Sequence, residues 1–500
     1  MNLMMLLEMA ASGFGDRVAV TNGEDSLTYT ELYAAAGAAA AEITASGAER
    51  VALLDVNSLA VPVALFASAW AGLPFAPLNY RLTGDELEKL LGRIAPSYLI
   101  AEPGRVDALE GVPGTTVVAS DAFLEHARSG ADVAPPWPME PELTAVLLFT
   151  SGTTGEPKAA VLRHKHLVSY ILGSVEFMGA AETDANLVSV PPYHIAGMAS
   201  IASSVYAGRR IVQLANFSAE GWVDTARSEA VTNAMVVPTM LVRIIDHLES
   251  EADAGLPSVR AISYGGGKMP LPVIEKAMEI LPHVDFTNAY GLTETSSTIS
   301  VLTPADHREA ASSADPEVRR RLGSLGTPLP SVQVEIRGPG GEVLGPGETG
   351  EIHVKGEQVS GEYEGLGSRL DADGWFPTRD AGFVDSGGYL FLDGRIDDVI
   401  VRGGENISPG EVEAVIVEHD AVADCAVVGV PDEQWGEAVA AVVVPRAGRT
   451  VSAEEIHDWV RDRLRSSRAP VRVEVREELP YNETGKLLRR LVRADLVGES

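Results

Sequence analysis

The sequence of 500 residues predicts an α/β protein with an added β-rich stretch and a separate small α+β domain. Three observations carry that expectation. Short aliphatic runs alternate with amphipathic segments through the first four hundred residues or so. Near Gly323 the texture changes to Gly- and Pro-punctuated, alternating strands. After Asp397 the pattern reads helix, strand, strand, helix, strand. A chain of this length also exceeds what one hydrophobic core supports, so at least two domains are expected.

Met1 to Ala11 is apolar but carries Glu8 and has no basic start, which reads as an N-terminal helix and not a leader. Tyr33 to Ala41 is an Ala-rich helix. Val56 to Tyr80 lacks charge and is long enough to cross a bilayer, yet Pro62, Pro74 and Pro77 interrupt it, so a buried helix and strand are expected there. Arg81 to Asp85 is a polar turn into the next amphipathic helix. The runs 51–54, 98–101, 116–118, 145–149, 235–237 and 261–264 read as strands buried on both faces, with mostly parallel pairing. Residues 332–336 and 350–354 alternate like half-exposed strands. In the last hundred residues, helices are expected over 408–418 and 452–465 and strands over 423–430, 438–444 and 471–475.

Composition excludes several classes. With 39 basic and 71 acidic side chains the net charge is −32, which argues against nucleic-acid and anionic-membrane partners. The distribution is uneven, however: Arg461 to Arg493 holds ten basic and five acidic residues, a basic stretch suited to small anionic ligands. Cys425 is the single cysteine, so an intramolecular disulfide and a thiolate metal cluster are excluded and a cytoplasmic protein without a transmembrane segment is expected.

The segment Thr150-Ser151-Gly152-Thr153-Thr154-Gly155-Glu156-Pro157-Lys158 follows a buried strand. Its hydroxyls, backbone N–H groups and Lys158 can converge on phosphate oxygens, although the ending of a Walker A loop is missing. Asn288-Ala289-Tyr290-Gly291-Leu292-Thr293-Glu294-Thr295 offers an aromatic face for a purine, a hydroxyl for phosphate and a carboxylate for Mg²⁺. Trp375 to Asp380 supplies a carboxylate able to accept both ribose hydroxyls. Gly394-Arg395-Ile396-Asp397, Arg402-Gly403-Gly404-Glu405 and Leu479 to Lys486 complete the set.

With these segments in this order, the chain resembles the adenylate-forming superfamily of acyl-CoA synthetases, peptide-synthetase adenylation domains and luciferases, closest to the acyl-CoA ligases. The resemblance spans nearly the whole chain. It implies a large N-terminal domain (1–394) of stacked αβ layers with a β-rich subdomain over about 323–394, a hinge at 395–397, and a small mobile α+β domain (398–500). It implies ATP, Mg²⁺ and coenzyme A as cofactors. Carried onto this sequence, Thr150, Ser151, Gly152, Thr153, Thr154, Gly155 and Lys158 would hold the β- and γ-phosphates. Gly265, Gly266 and Gly267 with Asn288, Ala289 and Tyr290 would sandwich the adenine, and Gly291 would border the site. Thr293 would meet the α-phosphate, Glu294 would bind Mg²⁺, and Asp380 and Arg395 would hold the ribose. Asp397 would be the hinge, and Lys486 would bridge carboxylate and α-phosphate. Gly403, Gly404 and Glu405 would line the thiol tunnel, and His194 would sit beside the acyl group.

Each residue also has a plainer role open to it: Lys486 as a surface lysine, Glu294 as a complement to a helix dipole, His194 as a packed loop histidine, Trp435 as packing or surface on the CoA side. Lysine is scarce, seven against 32 arginines, and two of the seven fall in the motifs. Two departures stand out: Arg379 precedes Asp380 where the family more often has Gly, and Ala159-Ala160 follow Lys158 where many members have Gly. The expected function is ATP-dependent activation of a hydrophobic carboxylic acid as an acyl-adenylate, followed by CoA thioester formation. Amino-acid activation is disfavoured because no acidic residue occurs between Leu187 and Gln213 to pair with an α-amine. With 14 residues after Lys486, a fused carrier domain is not expected. A free carrier protein as acceptor, an enzyme specialised for one half-reaction, an oxidative luciferase-like activity, a nucleotide-binding paralogue without catalysis, and a homodimer stay open.

Overall fold

The computed structural model describes residues 1–130, 134–150, 157–250, 255–481 and 487–498, with Asn406 described by its backbone only. By packing, the chain divides into Met1–Gln333 with Lys355–Phe376, and Val334–Val354 with Pro377–Ser500. Packing thus groups most of the β-rich stretch with the C-terminal residues.

The first unit is built on two large sheets. In one, the strands Ala185–Val188, Arg210–Gln213, Asn233–Val236, Ala261–Gly265 and Asp285–Leu292 run parallel, in the order 210–213, 185–188, 233–236, 261–265, 285–292. Their C-terminal ends therefore share one edge. Tyr193-His194, the Gly265 turn and Thr293-Glu294 all follow those ends, the position at which open α/β sheets take ligands. The second sheet carries the parallel strands Phe75–Pro77, Arg50–Leu54, Ser97–Ala101 and Thr115–Ala119, flanked by an antiparallel hairpin of Thr144–Thr150 and Lys158–Arg163. The 145–149 run is thus a strand as expected, but its neighbour across the phosphate-loop motif is antiparallel, because a short loop can only fold back.

The stretch flagged as long enough for a membrane resolves into a helix Ala60–Ala71 and the strand Phe75–Pro77. Eleven of the twelve helical residues are buried, which is why the helix is apolar all round. Among the described residues no helix is long and apolar enough to cross a membrane. The Ala-rich helix runs Tyr29–Ala45 and starts in a capping box between Thr28 and Glu31. A Cβ on its Gly37 would lie 3.1 Å from the Trp70 ring, so small residues on this helix let the two helices approach closely.

The second unit has two sheets. One orders Gln333–Arg337, Gly350–Lys355, Phe376–Val384 and Leu390–Arg395; the other orders Glu405–Ile407, Ile400–Arg402, Gly436–Pro445 and Val422–Asp432, with Arg472–Val475 also pairing with 436–445. Helices Pro409–Val417 and Ala453–Arg461 cover an aliphatic core of Ile400, Val412, Ile416, Val427, Val439 and Ile456. The second helix ends at Arg461, four residues before the expected end, and Ser466–Arg468 forms a single tight turn.

Candidate active site

Within the first unit the hairpin strands bring together the two described ends of the 150–158 segment. Thr150 sits opposite Lys158, and its Oγ1 donates to the Lys158 carbonyl at 3.3 Å. Arg93 donates to the Pro157 carbonyl at 2.6 Å and lies over the Phe149 ring. Ser151, Gly152, Thr153, Thr154 and Gly155 lie outside the described residues.

Glu294 lies in the tight turn Thr293–Thr295 between the strands Asp285–Leu292 and Ser297–Leu302. The fully buried Thr295 hydroxyl accepts from the Leu292 N–H at 2.9 Å, and Ser296 and Ser297 carry positive φ values of 57° and 108°. Gly291 is where the pairing slips by a residue; a Cβ there would lie 1.8 Å from the Ser297 carbonyl oxygen. The segment 358–363 straps this turn down. Ser360 and Gly361 N–H groups donate to the Glu294 carbonyl at 2.8 and 3.1 Å, and the buried Gln358 amide donates to the Thr295 and Thr298 carbonyls at 3.1 and 2.7 Å. Tyr363 donates its phenolic proton to the Glu294 carboxylate, and the Lys158 ammonium sits 5.9 Å from the centre of the Tyr363 ring.

The glycine turn at 265–267 is shaped mainly by strand pairing. Gly265 faces Ala289, whose carbonyl oxygen would be 2.1 Å from an added Cβ, and Gly266 has φ 81° with only Val237 near its Cβ position. Bare backbone at Gly266 leaves a flat approach for a ring. Asn288 is buried and donates to the Ser324 carbonyl at 2.9 Å, so part of its amide anchors the strand. Tyr290 is also buried. His194 is the N-cap residue of the helix Ile195–Ala207, and its ring lies 4.4 Å from that of Tyr193, which in turn meets Tyr80 edge-on at 5.5 Å.

Within the second unit Asp380 and Arg395 are register partners on neighbouring strands. Arg395 donates to the Asp380 carboxylate at 2.7 Å and to the Thr378 carbonyl at 3.2 Å, while Thr378 Oγ1 accepts from the Asp380 N–H at 3.1 Å. The carboxylate is almost wholly buried and is held before any ligand arrives. Arg379 adopts φ 63°, unusual for a residue with a Cβ, and its guanidinium pairs with Asp397. Gly403 and Gly404, both with positive φ, turn the chain between strands; a Cβ on Gly403 would lie 2.7 Å from the Trp435 ring. Glu405 pairs with Arg468 at 3.0 Å. Lys486 lies outside the described residues, but the ends of its segment are fixed. Tyr481 bridges to Leu487 and donates to Asp424 at 2.8 Å, and Arg489 meets Glu413 at 2.7 Å and Asp398 at 3.6 Å. Burial, with the neighbouring Asp424, raises the Tyr481 phenol well above its ordinary range, and burial raises Asp424 as well.

The family profile described as AMP-binding enzyme matches residues 7–364, and that of the AMP-binding enzyme C-terminal domain matches residues 411–486. The chain belongs to the AMP-binding enzymes. Of this family, the fatty acid–[acyl-carrier-protein] ligase ScoC of Streptomyces coeruleorubidus is 33% identical over 95% of this chain and 92% of its own length. The feruloyl-CoA synthase of an Amycolatopsis species is 33% identical over 95% of both chains. The o-succinylbenzoate coenzyme A synthetase (MenE) of Bacillus subtilis, solved with ATP and magnesium ion, superposes with a TM-score of 0.82 at 30% identity, covering 97% of this chain and 98% of its own.

The residues of this AMP-binding enzyme fit a nucleotide carrying Mg²⁺. Magnesium on phosphates commonly takes one or two protein carboxylates, and Glu294 offers one with a single oxygen engaged by Tyr363. Gly266 leaves open backbone, and Asp380 is a fixed, buried acceptor. Tyr363, Gln358 and Arg489 belong to no motif in the sequence, and the Asp424 partner of Tyr481 lies outside its motif; these partners are 57 or more residues away, and no local pattern signals them.

Proposed function

We propose that this AMP-binding enzyme is an ATP- and Mg²⁺-dependent acid–thiol ligase that activates an aryl or otherwise hydrophobic carboxylic acid as an acyl-adenylate and transfers the acyl group to the thiol of coenzyme A. The observation that carries it is the joining of Lys158, Tyr363 and Glu294 at the end of a strand hairpin in a chain whose relatives bear the names of acid–CoA and acid–carrier ligases. The Tyr80, Tyr193 and His194 rings form an aromatic edge suited to an apolar acid. The feruloyl-CoA synthase and o-succinylbenzoate synthetase names point the same way.

Chemically, a carboxylate oxygen attacks the α-phosphorus, the bond to pyrophosphate breaks, and the acyl-adenylate forms. Glu294 would hold Mg²⁺ with the triphosphate, and the metal would supply charge neutralisation for the departing pyrophosphate. Lys158 and the hydroxyls of 150–154 hold the β- and γ-phosphates, Thr293 meets the α-phosphate, and Gly265, Gly266, Gly267, Asn288, Ala289 and Tyr290 border the base. Asp380, oriented by Arg395, accepts the ribose hydroxyls. Lys486 places positive charge between the two anions, an orientation and electrostatic effect. The thiol then loses its proton and attacks the acyl carbon, and AMP leaves. Rotation about Asp397 removes the Lys486 segment and brings Gly403, Gly404 and Glu405 to the thiol path.

ScoC favours one second reading, in which a carrier protein's phosphopantetheine thiol replaces coenzyme A. Pyrophosphate release measured across carboxylic acids, with and without CoA, separates the two. Release with formation of a CoA thioester supports the first reading, and release without it supports the second. Lys486→Ala is expected to lower acyl-adenylate formation by about a hundredfold or more; unchanged turnover would show this mechanism to be wrong.

A further inference from the structure

Lys158 and Glu294 carry opposite charges and attract one another. Tyr363 meets both. Its hydroxyl engages the Glu294 carboxylate while its ring face lies toward the Lys158 ammonium. We infer that Tyr363 is a positioning residue that holds the Glu294 carboxylate in its metal-receiving orientation and keeps it from pairing with Lys158. This rests on the reading of Glu294 and Lys158 given above and assigns to Tyr363 a role that no motif carries.

The strap that delivers Tyr363 is fixed from both sides. Tyr363 pairs with Ala160 of the strand that begins at Lys158, and the Glu364 N–H donates to the Ala159 carbonyl at 2.9 Å. In an extended strand the side chains at 362 and 364 point opposite to that of 363. Those two are clamped: Arg163 donates to Glu362 at 2.7, 2.8 and 3.0 Å, and Arg50 pairs with Glu364 at 3.0 Å. The same strap holds the Glu294 main chain, since Ser360 and Gly361 bind its carbonyl. Glu294 is thus fixed at its backbone and at its carboxylate by one segment of chain. A phenol donates a single hydrogen bond, which occupies one of the carboxylate's lone pairs and can leave the others to a cation.

Tyr363→Phe removes the hydroxyl and keeps the ring, so the strap and its ion pairs persist. ATP binding measured by titration calorimetry at rising Mg²⁺, without carboxylic acid, reads the effect apart from turnover. The Mg²⁺ concentration for half-maximal binding is expected to rise about tenfold, as for loss of one hydrogen bond to a charged group, with the KM for the acid unchanged. Tyr363→Ala, which frees Lys158 to meet Glu294 directly, is expected to weaken ATP binding further. Glu294→Gln run in parallel tells two failures apart. If Glu294→Gln shifts the Mg²⁺ dependence and Tyr363→Phe does not, the role of Tyr363 is overturned while that of Glu294 stands. If neither shifts it, both fall.

Discussion

At residue scale, glycines and a strained arginine mark where backbone geometry overrides side-chain chemistry. Gly291 is proposed to border the nucleotide, yet its first constraint is steric, because an added methyl would sit 1.8 Å from the Ser297 carbonyl oxygen. Backbone cannot move aside as a flexible side chain can. Gly291→Ala is therefore expected to cost about 3 kcal/mol and to disturb the Thr293–Thr295 turn, lowering the urea midpoint and ATP affinity together; an unchanged midpoint would contradict the steric argument. The sequence showed the Thr293-Glu294 pair but not this reason for the glycine two residues before it. Arg379 is the converse case. Its φ of 63° suits glycine, and its backbone N–H donates to Glu351 at 3.1 Å while its guanidinium meets Asp397. A residue held by partners at both ends can occupy a sparsely populated conformation.

At the scale of elements, the helix His164–Ser174 introduces a pH dependence unrelated to the chemistry. His164 and His166 are buried, and burial pushes both down from 6.5 to about 4. His164 Nδ1 accepts from the Leu3 N–H and His166 Nδ1 from the Arg163 N–H, each at 3.2 Å, so the neutral rings are used as acceptors. The unfolded chain takes up protons near pH 6.5 and the folded chain does not. Stability is thus full above pH 6.5 and falls as pH drops toward 4, by up to about 3 kcal/mol per histidine. Urea midpoints measured between pH 7.5 and 4.5 should decline over that window. His166→Gln, which can still accept from Arg163 as a capping-box residue, should flatten the decline; an equally steep curve would reject the assignment. The strap at 358–363 is an element of the same importance, and its sequence gave no warning of its task. Strand pairing across some two hundred residues leaves no local periodicity.

At the scale of the molecule, the net charge of −32 and the basic stretch around Lys486 describe a protein that repels polyanions yet presents arginines on its C-terminal part. Several of those arginines are engaged: Arg468 with Glu405 and Glu411, Arg476 with Glu474 and Asp495, Arg489 with Glu413. The proposed rotation at Asp397 is testable from its local geometry. Asp397 lies in the short turn Ile396–Asp398, where proline's fixed φ is tolerated near the start of a turn. Asp397→Pro should leave one half-reaction within about tenfold of the parent enzyme and lower the other much more. Single-turnover pyrophosphate and thioester assays read the two separately, and equal losses in both would argue against a hinge.

The sequence by itself determined the family and the main element types, and it proposed the motif residues, because adenylation needs hydroxyls, glycines, carboxylates and a lysine at spacings that survive in one dimension. It also determined the parallel α/β texture, since strands buried on both faces must be aliphatic throughout. Only the tertiary structure decided which distant side chains hold those groups still: Tyr363 on Glu294, Gln358 on the turn behind it, Tyr481 and Arg489 at the ends of the Lys486 segment. It likewise decided that part of Asn288 serves as an anchor and that Glu405 is paired to Arg468. Reactive groups are specified by their own chemistry, whereas their supports are specified by whatever the fold brings within hydrogen-bond reach, and that reach crosses sequence separations no local pattern records.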